Sequence, residues 1–188
     1  MYQSAEIRNG LKIELEGYPY VITYFQFVKP GKGTAFTRVK LRNLLNGNTL
    51  ERTWRSGETL EPADIEEFTM QYLYNDGEQW FFMNQENFEQ VGIQKESIAD
   101  VTPWLLEEAM CEVMFYKGRA VSVVPPTFVE LQITYTEPGA RGNTATGTNK
   151  QAVLTTGASV GVPLFIESGE FIRIDTRTGE YVERVGKK

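Results

Sequence analysis

Apolar and polar residues alternate with a period of two along most of the chain, the pattern of strands with one face buried. Leu11-Lys12-Ile13-Glu14-Leu15 is such a run. Gly17-Tyr18-Pro19 is a turn signal, and Tyr20 to Val28 is rich in β-branched and aromatic residues. Thr34 to Leu41 alternates again, with Phe36, Val39 and Leu41 apolar and Arg38, Lys40 and Arg42 basic. Asn46-Gly47-Asn48 marks a tight turn into Leu50 to Trp54. Thr69 to Tyr74 and Gln79 to Met83 flank Asn75-Asp76-Gly77, a hairpin turn. Glu112 to Tyr116 and Ala120 to Val124 flank Lys117-Gly118-Arg119, a second hairpin. Phe128 to Thr134, Val160 to Ile166, Phe171 to Ile174 and Tyr181 to Arg184 complete the strand-like runs. Helix is expected at two places only. The polar stretch Asn87 to Ile98 has room for a helical turn. Pro103 to Glu108 reads as a short helix, with Thr102 as its cap and Pro103 at its first position.

Many short strands with little helix make this an all-β chain of small barrels. Pro125-Pro126 breaks a strand and stiffens a junction. The composition also shifts near Ile65. Residues 1–64, 65–126 and 127–188 therefore read as three small β-barrels in tandem, the later two as OB-like folds. No internal repeat relates them. Pro138 to Asn149 has three glycines and no large apolar residue, which predicts an exposed loop.

Composition narrows the chemistry. The chain has no histidine, which removes Ser-His and Cys-His nucleophile pairs, histidine metal ligands and the commonest general base. Its single cysteine, Cys111, cannot form an internal disulfide and lies in an apolar run, the setting of an inert core thiol. Met1 to Gly10 lacks a secretory pattern and no apolar run is long enough to span a bilayer, so the expected compartment is the cytosol. The net charge of −6 argues against nucleic-acid binding until it is divided along the chain. The three segments carry +2, −8 and 0. Phosphate would be repelled by the middle segment, so RNA contact is expected at the two ends.

Lys29-Pro30-Gly31-Lys32-Gly33 sits between two strands. Proline fixes one dihedral and the flanking glycines permit positive φ, so the loop projects Lys32 clear of its neighbours. An ordinary hairpin tip with a solvated lysine has the same pattern. A phosphate-binding P-loop does not fit, because Gly33 stands where Ser or Thr is needed and Gln26 where the first glycine is needed. Arg38, Lys40 and Arg42, two residues apart, share one face of the next strand and form a phosphate-compatible patch. The same spacing would suit a solvated outer barrel face. The acidic residues Glu107-Glu108 and Glu61 to Glu67 converge with no second cluster in the sequence and read as solvated.

The motifs resemble those of the bacterial elongation factor P family, in its lysine branch. Lys29 to Gly33 followed by Ala35-Phe36 and Val39-Lys40-Leu41-Arg42 resembles the first domain, and Tyr72 to Gly77 the second. Pro125-Pro126, Phe128 to Leu131, Lys150 to Pro163 and Asp175 to Tyr181 resemble the third. The likeness runs in order over essentially the whole chain. It implies a KOW/SH3-like barrel followed by two OB-fold domains in an L-shaped mimic of tRNA. It further implies a non-enzymatic, monomeric, cytoplasmic factor that touches both subunits of the 70S ribosome beside the P-site peptidyl-tRNA and relieves stalling at consecutive prolines. The same resemblance makes Lys32 the modified residue at the loop tip, able to receive a β-lysyl group from a lysine-modifying enzyme, with Lys29, Pro30, Gly31 and Gly33 as loop support. No cofactor, metal or membrane is implied. Arg38, Lys40 and Arg42 would meet RNA near the acceptor stem. Gly142-Asn143-Thr144, Tyr181 and Arg184 would face the small subunit and the anticodon side. The family often has Gly-Asp-Thr where this chain has Gly142-Asn143-Thr144, which puts codon contact at Asn143 in doubt. A paralogous elongation factor P-like protein and an OB-fold module for single-stranded nucleic acid remain alternatives.

Overall fold

The computed structural model describes residues 1–139 and 149–186. Within them sixteen strands form three sheets, and no α-helix occurs among the described residues. The first sheet contains β1 (Tyr2–Gln3), β2 (Lys12–Leu15), β3 (Tyr18–Val28), β4 (Phe36–Asn43), β5 (Thr49–Arg55) and β6 (Thr59–Pro62), in the order β1-β6-β2-β3-β4-β5. It curls around Ile7, Leu11, Ile13, Tyr20, Ile22, Val39, Leu41 and Leu60, with Trp54 and Leu50 packed against them. Each fully buried aliphatic side chain of this kind contributes roughly 1.5–3 kcal/mol of transfer free energy.

The second sheet contains β7 (Ile65–Asn75), β8 (Gln79–Asn84), β9 (Gln90–Gln94), β10 (Met110–Tyr116) and β11 (Arg119–Val124), in the order β11-β10-β7-β8-β9. The β7–β8 turn forms where Asn75-Asp76-Gly77 predicts it. The Asp76 Oδ1 accepts the backbone N–H of Gln79 at 2.7 Å and of Glu78 at 2.9 Å, while Gly77 takes φ +94°. These bonds hold the Asp76 carboxyl below its ordinary titration range. The third sheet contains β12 (Phe128–Thr136), β13 (Asn149–Leu154), β14 (Ser159–Pro163), β15 (Phe171–Asp175) and β16 (Glu180–Val185), in the order β14-β13-β12-β15-β16. Its core is aliphatic: Val129, Leu131, Ile133, Leu154, Val160, Val162, Ile166, Ile172 and Ile174.

Two compact units emerge from this chain. One comprises Met1–Glu67 with Met114–Ser122, and the other Phe68–Val113 with Val123–Lys188. The tip of the β10–β11 hairpin therefore belongs to the first unit. There the Tyr116 hydroxyl and the Lys117 ammonium both reach Glu14 on β2.

The short helix expected over 103–108 does not form. Only Thr102–Trp104 makes a 3-10 turn, and the Thr102 hydroxyl donates back to the Ala99 carbonyl at 3.2 Å rather than capping a helix. Leu105 is already extended, at φ −88° and ψ 113°. Leu106 packs against the core of the third sheet, whereas Leu105 is buried apart from that cluster. Successive side chains pointing to different surroundings suit extended chain and not a helix. In the polar stretch 87–98, the helical turn is a 3-10 turn at Lys95–Ser97, preceded by the strand β9, which its composition had concealed.

Candidate functional site

Strands β3 and β4 pair antiparallel out to Val28 opposite Phe36. Seven residues, 29–35, bridge them, so Lys32 stands at the midpoint with three residues on each side. Its side chain is exposed, and it has no hydrogen bond or ion pair among the described residues. Gly33 takes φ +107°, which a side chain would strain, while Gly31 does not use the left-handed region. Pro30 is half-buried and Lys29 is exposed.

The arm that carries this loop changes phase on the way. A β-bulge lies between Ile22 and Tyr24, with the Thr23 hydroxyl donating to the Lys40 carbonyl at 3.3 Å. Before the bulge Ile22 pairs with Leu41, both in the core; after it Tyr24 pairs with Lys40. Beyond Thr23, therefore, Tyr24, Gln26 and Val28 share the face of Lys40, Arg38 and Phe36. Phe25 and Phe27 share the other with Val39 and Thr37.

The structure places Arg38, Lys40 and Arg42 on one face of β4, exposed between the buried Thr37, Val39, Leu41 and Asn43. Their electrostatic settings differ. Lys40 lies 3.9 Å from the Glu51 carboxylate directly across on β5, and 5.4 Å over the Tyr24 ring. Arg38 and Arg42 have no ion-pair partner among the described residues. Arg55, at the end of β5 opposite Phe36, belongs to the same outer face and is likewise unpaired. The strand-like run legible in the sequence, Leu50 to Trp54, stops one residue short of it. One more step of alternation past Glu51 and Thr53 would have found it.

Tyr181 and Arg184 lie in the other compact unit. Tyr181, opposite Ile174, is half-buried against the aliphatic core of the third sheet. Arg184 donates to the Glu170 carboxylate at 3.0 Å and stacks over the Phe165 ring at 5.0 Å. Its charge is already shared within the domain. Gly142, Asn143 and Thr144 lie outside the described residues.

Other reactive groups are built into structure. Burial, with a smaller contribution from the Glu112 carboxylate, pushes the Cys111 thiol up to about 11. Glu107 and Glu108 are exposed. Among the described residues no three His, Cys, Asp or Glu side chains are grouped to hold a metal ion, and no helix is long and apolar enough to cross a membrane.

Three family models match the chain in order. One, described as the elongation factor P KOW-like domain, matches residues 3–60. The elongation factor P OB domain matches residues 65–123, and the elongation factor P C-terminal domain residues 129–184. Among solved structures, eukaryotic translation initiation factor 5A from Methanococcus jannaschii is similar at 20% identity and a TM-score of 0.52. The match covers 65% of this chain and 91% of that one. A translation initiation factor eif-5a family protein from Naegleria fowleri is similar at 17% identity and a TM-score of 0.53, over 65% and 95% of the two chains. At these identities the two structures speak for the fold alone.

Proposed function

The chain belongs to the elongation factor P family of translation factors, and from that premise we propose that it binds the 70S ribosome between the P and E sites and directs Lys32 towards the peptidyl-transferase centre. The observation that carries this reading is the placement of Lys32: exposed, without an ion-pair partner among the described residues, and central in the loop that joins the ends of β3 and β4. A lysine kept for structure would have a carboxylate partner, as Lys40 has in Glu51.

The chemistry is positional. Proline's ring restricts its backbone and makes it a poor partner in peptide-bond formation. A factor that holds the CCA end of peptidyl-tRNA in a reactive geometry lowers the barrier by orientation, with the ribosome as the catalyst. Proton transfer from the factor is not required, so a chain without histidine suffices. A β-lysyl-type adduct on Lys32, added by a modifying enzyme, would extend its reach and carry a second amine. Basic residues of β4 would meet tRNA phosphate, and the C-terminal domain would face the small subunit. The factor would act as a monomer in the cytoplasm.

The test is Lys32→Ala, read by thermal unfolding and by translation of a reporter with three consecutive prolines. An exposed loop-tip change should alter stability by no more than about 0.5 kcal/mol, while rescue of the reporter is lost. Full rescue by the variant would overturn the proposal. Intact mass of the protein from its native host reads the modification directly.

A further inference from the structure

Strand β3 changes neighbours at one residue. Up to Val21 it pairs with β2, where Val21 meets Lys12. Ile22 is then fixed through both its backbone groups. Its N–H donates to the Leu11 carbonyl at 2.9 Å, and its carbonyl accepts the Gly10 N–H at 2.8 Å. Its side chain is buried in the barrel core. The next residue, Thr23, is the extra one of the bulge, and its hydroxyl ties it across to the Lys40 carbonyl at 3.3 Å. From Tyr24 to Val28, five pairs with β4 follow without a further shift. Along these five, β4 is the only strand paired with β3 among the described residues. Strand β4 itself passes this point undisturbed, its ladder to β5 unbroken from Phe36 to Arg42. The bulge therefore sits where β3 leaves the barrel, and it acts on one strand. On the side away from the basic residues, Phe25 and Phe27 line a largely apolar groove of about 430 Å³ with Ala5, Ile7 and Thr37.

We propose that Thr23 is a positioning residue for Lys32: the bulge it forms aims the end of β3, and the loop that follows, at the reacting end of the peptidyl-tRNA. Thr23 touches neither RNA nor substrate and acts through the strand it bends, an assignment that rests on the function proposed above. An extra residue on one strand bends that strand and increases its local right-handed twist. Because β4 keeps its residue count, the bulge alters the direction in which the loop is delivered and leaves its reach unchanged. Five pairs span about 17 Å of strand. Over that length a turn of about 3° at the base moves the end by about 1 Å, and a misplacement of about 1 Å can cost up to ~10²-fold in a rate governed by orientation. The aim of the strand thus matters more than any single contact along it. The hydroxyl bond holds the extra residue in place, and the apolar groove seats the two phenylalanines of the bent segment.

Three variants of the full chain test the assignment, compared at equal Lys32 modification as read by intact mass. Deletion of Thr23 makes β3 regular and still sets Tyr24 opposite Lys40, so the contact of the Tyr24 ring with the Lys40 ammonium, 5.4 Å in the parent chain, should persist as a nuclear Overhauser signal. Its thermal unfolding midpoint should stay close to that of the parent, while rescue of the three-proline reporter falls by about tenfold or more. Thr23→Val keeps the length and branching without the hydroxyl and should lose about three- to tenfold, whereas Thr23→Ser should stay within about twofold. Residual dipolar couplings of the backbone N–H groups of Tyr24 to Val28, referenced to those of Lys12 to Leu15 on the barrel, read the direction of the strand without the ribosome. They should change in the deletion variant and be preserved in Thr23→Ser. Full rescue by the deletion variant, couplings unchanged by the deletion, or equal rescue by Thr23→Val and Thr23→Ser would each overturn the assignment. Should the deletion variant fail to fold, the valine and serine pair decides alone. Failure of the parent chain itself on the reporter would remove the ribosomal reading, and the couplings would still show whether Thr23 sets the direction of the strand.

Discussion

The Tyr116 hydroxyl, at the end of β10, donates to Glu14 Oε1 on β2 at 2.5 Å, across 102 positions of sequence. The Lys117 ammonium approaches the same oxygen at 3.4 Å, and the Glu14 side chain is only 13% exposed. Its second oxygen, Oε2, is buried without a partner. A carboxylate in that position depends heavily on the donors it has.

Tyr116→Phe removes that donor without changing shape, and leaves Glu14 with the exposed Lys117 alone. The expected loss is about 1–3 kcal/mol in urea unfolding. Lys117→Ala should cost less than about 1 kcal/mol, because its ammonium remains largely solvated. A larger loss for Lys117→Ala would reverse the ranking of the two contacts.

The two glycines beside Lys32 should tolerate alanine differently. A Cβ at Gly31 meets nothing within 4 Å and its φ is ordinary, so Gly31→Ala should leave the loop unchanged. A Cβ at Gly33 has space too, with Pro30 Cγ 3.9 Å away, but the φ of +107° strains any side chain. Gly33→Ala should distort the loop at a cost of roughly 1–2 kcal/mol, and reduce proline-reporter rescue in step. Loop amide chemical shifts of the two variants provide the check.

Stability should decline at alkaline pH. Burial raises the Cys111 thiol to about 11 from an ordinary 9.0. Burial also raises the Tyr72 and Tyr116 hydroxyls, the latter further through Glu14. The unfolded chain therefore releases these protons first. The stabilisation is intact below pH 9.0 and is lost as pH rises towards 11. Urea midpoints between pH 8 and pH 11 test the sign. Iodoacetamide labelling of Cys111 at pH 8 should follow global unfolding and not precede it.

The acidic middle segment should be dispensable for RNA affinity. Neutralising Glu78, Glu86 and Glu89 together should leave ribosome binding unchanged or slightly tighter, since a segment of net −8 repels phosphate. Weaker binding by this triple variant in a filter assay would place essential contacts in that segment.

Much of this was legible from residue order, where one physical rule governed a stretch. Period-two alternation located β4 together with its three outward cations, and Asn75-Asp76-Gly77 located its turn. Arg55 was hidden because a strand end is set by pairing with Phe36, which lies on another strand. The expected helix over 103–108 failed because Leu105 and Leu106 serve different surroundings, a demand of tertiary packing that a local cap cannot express. The neutralisation of Lys40 was equally invisible, since it depends on the register that sets Glu51 opposite. β9 was concealed because Gln90, Gly92 and Gln94 leave only Val91 and Ile93 to mark a strand.

The extra residue at Thr23 gives the arm its own reading frame. Were Thr23 taken into the regular ladder opposite Lys40, Tyr24 and Gln26 would turn inward and Phe25 and Phe27 would come to the cationic side. The barrel below could keep its pairing while the arm above was turned over, with Lys32 approaching RNA from a face lined with aromatic rings. Leaving Thr23 out altogether would instead keep every later residue on its present face, because Tyr24 would follow Ile22 directly and still meet Lys40. Whether that one residue is bulged or paired thus acts like a frameshift in three dimensions, deciding which face of a folded protein's working end is turned outward.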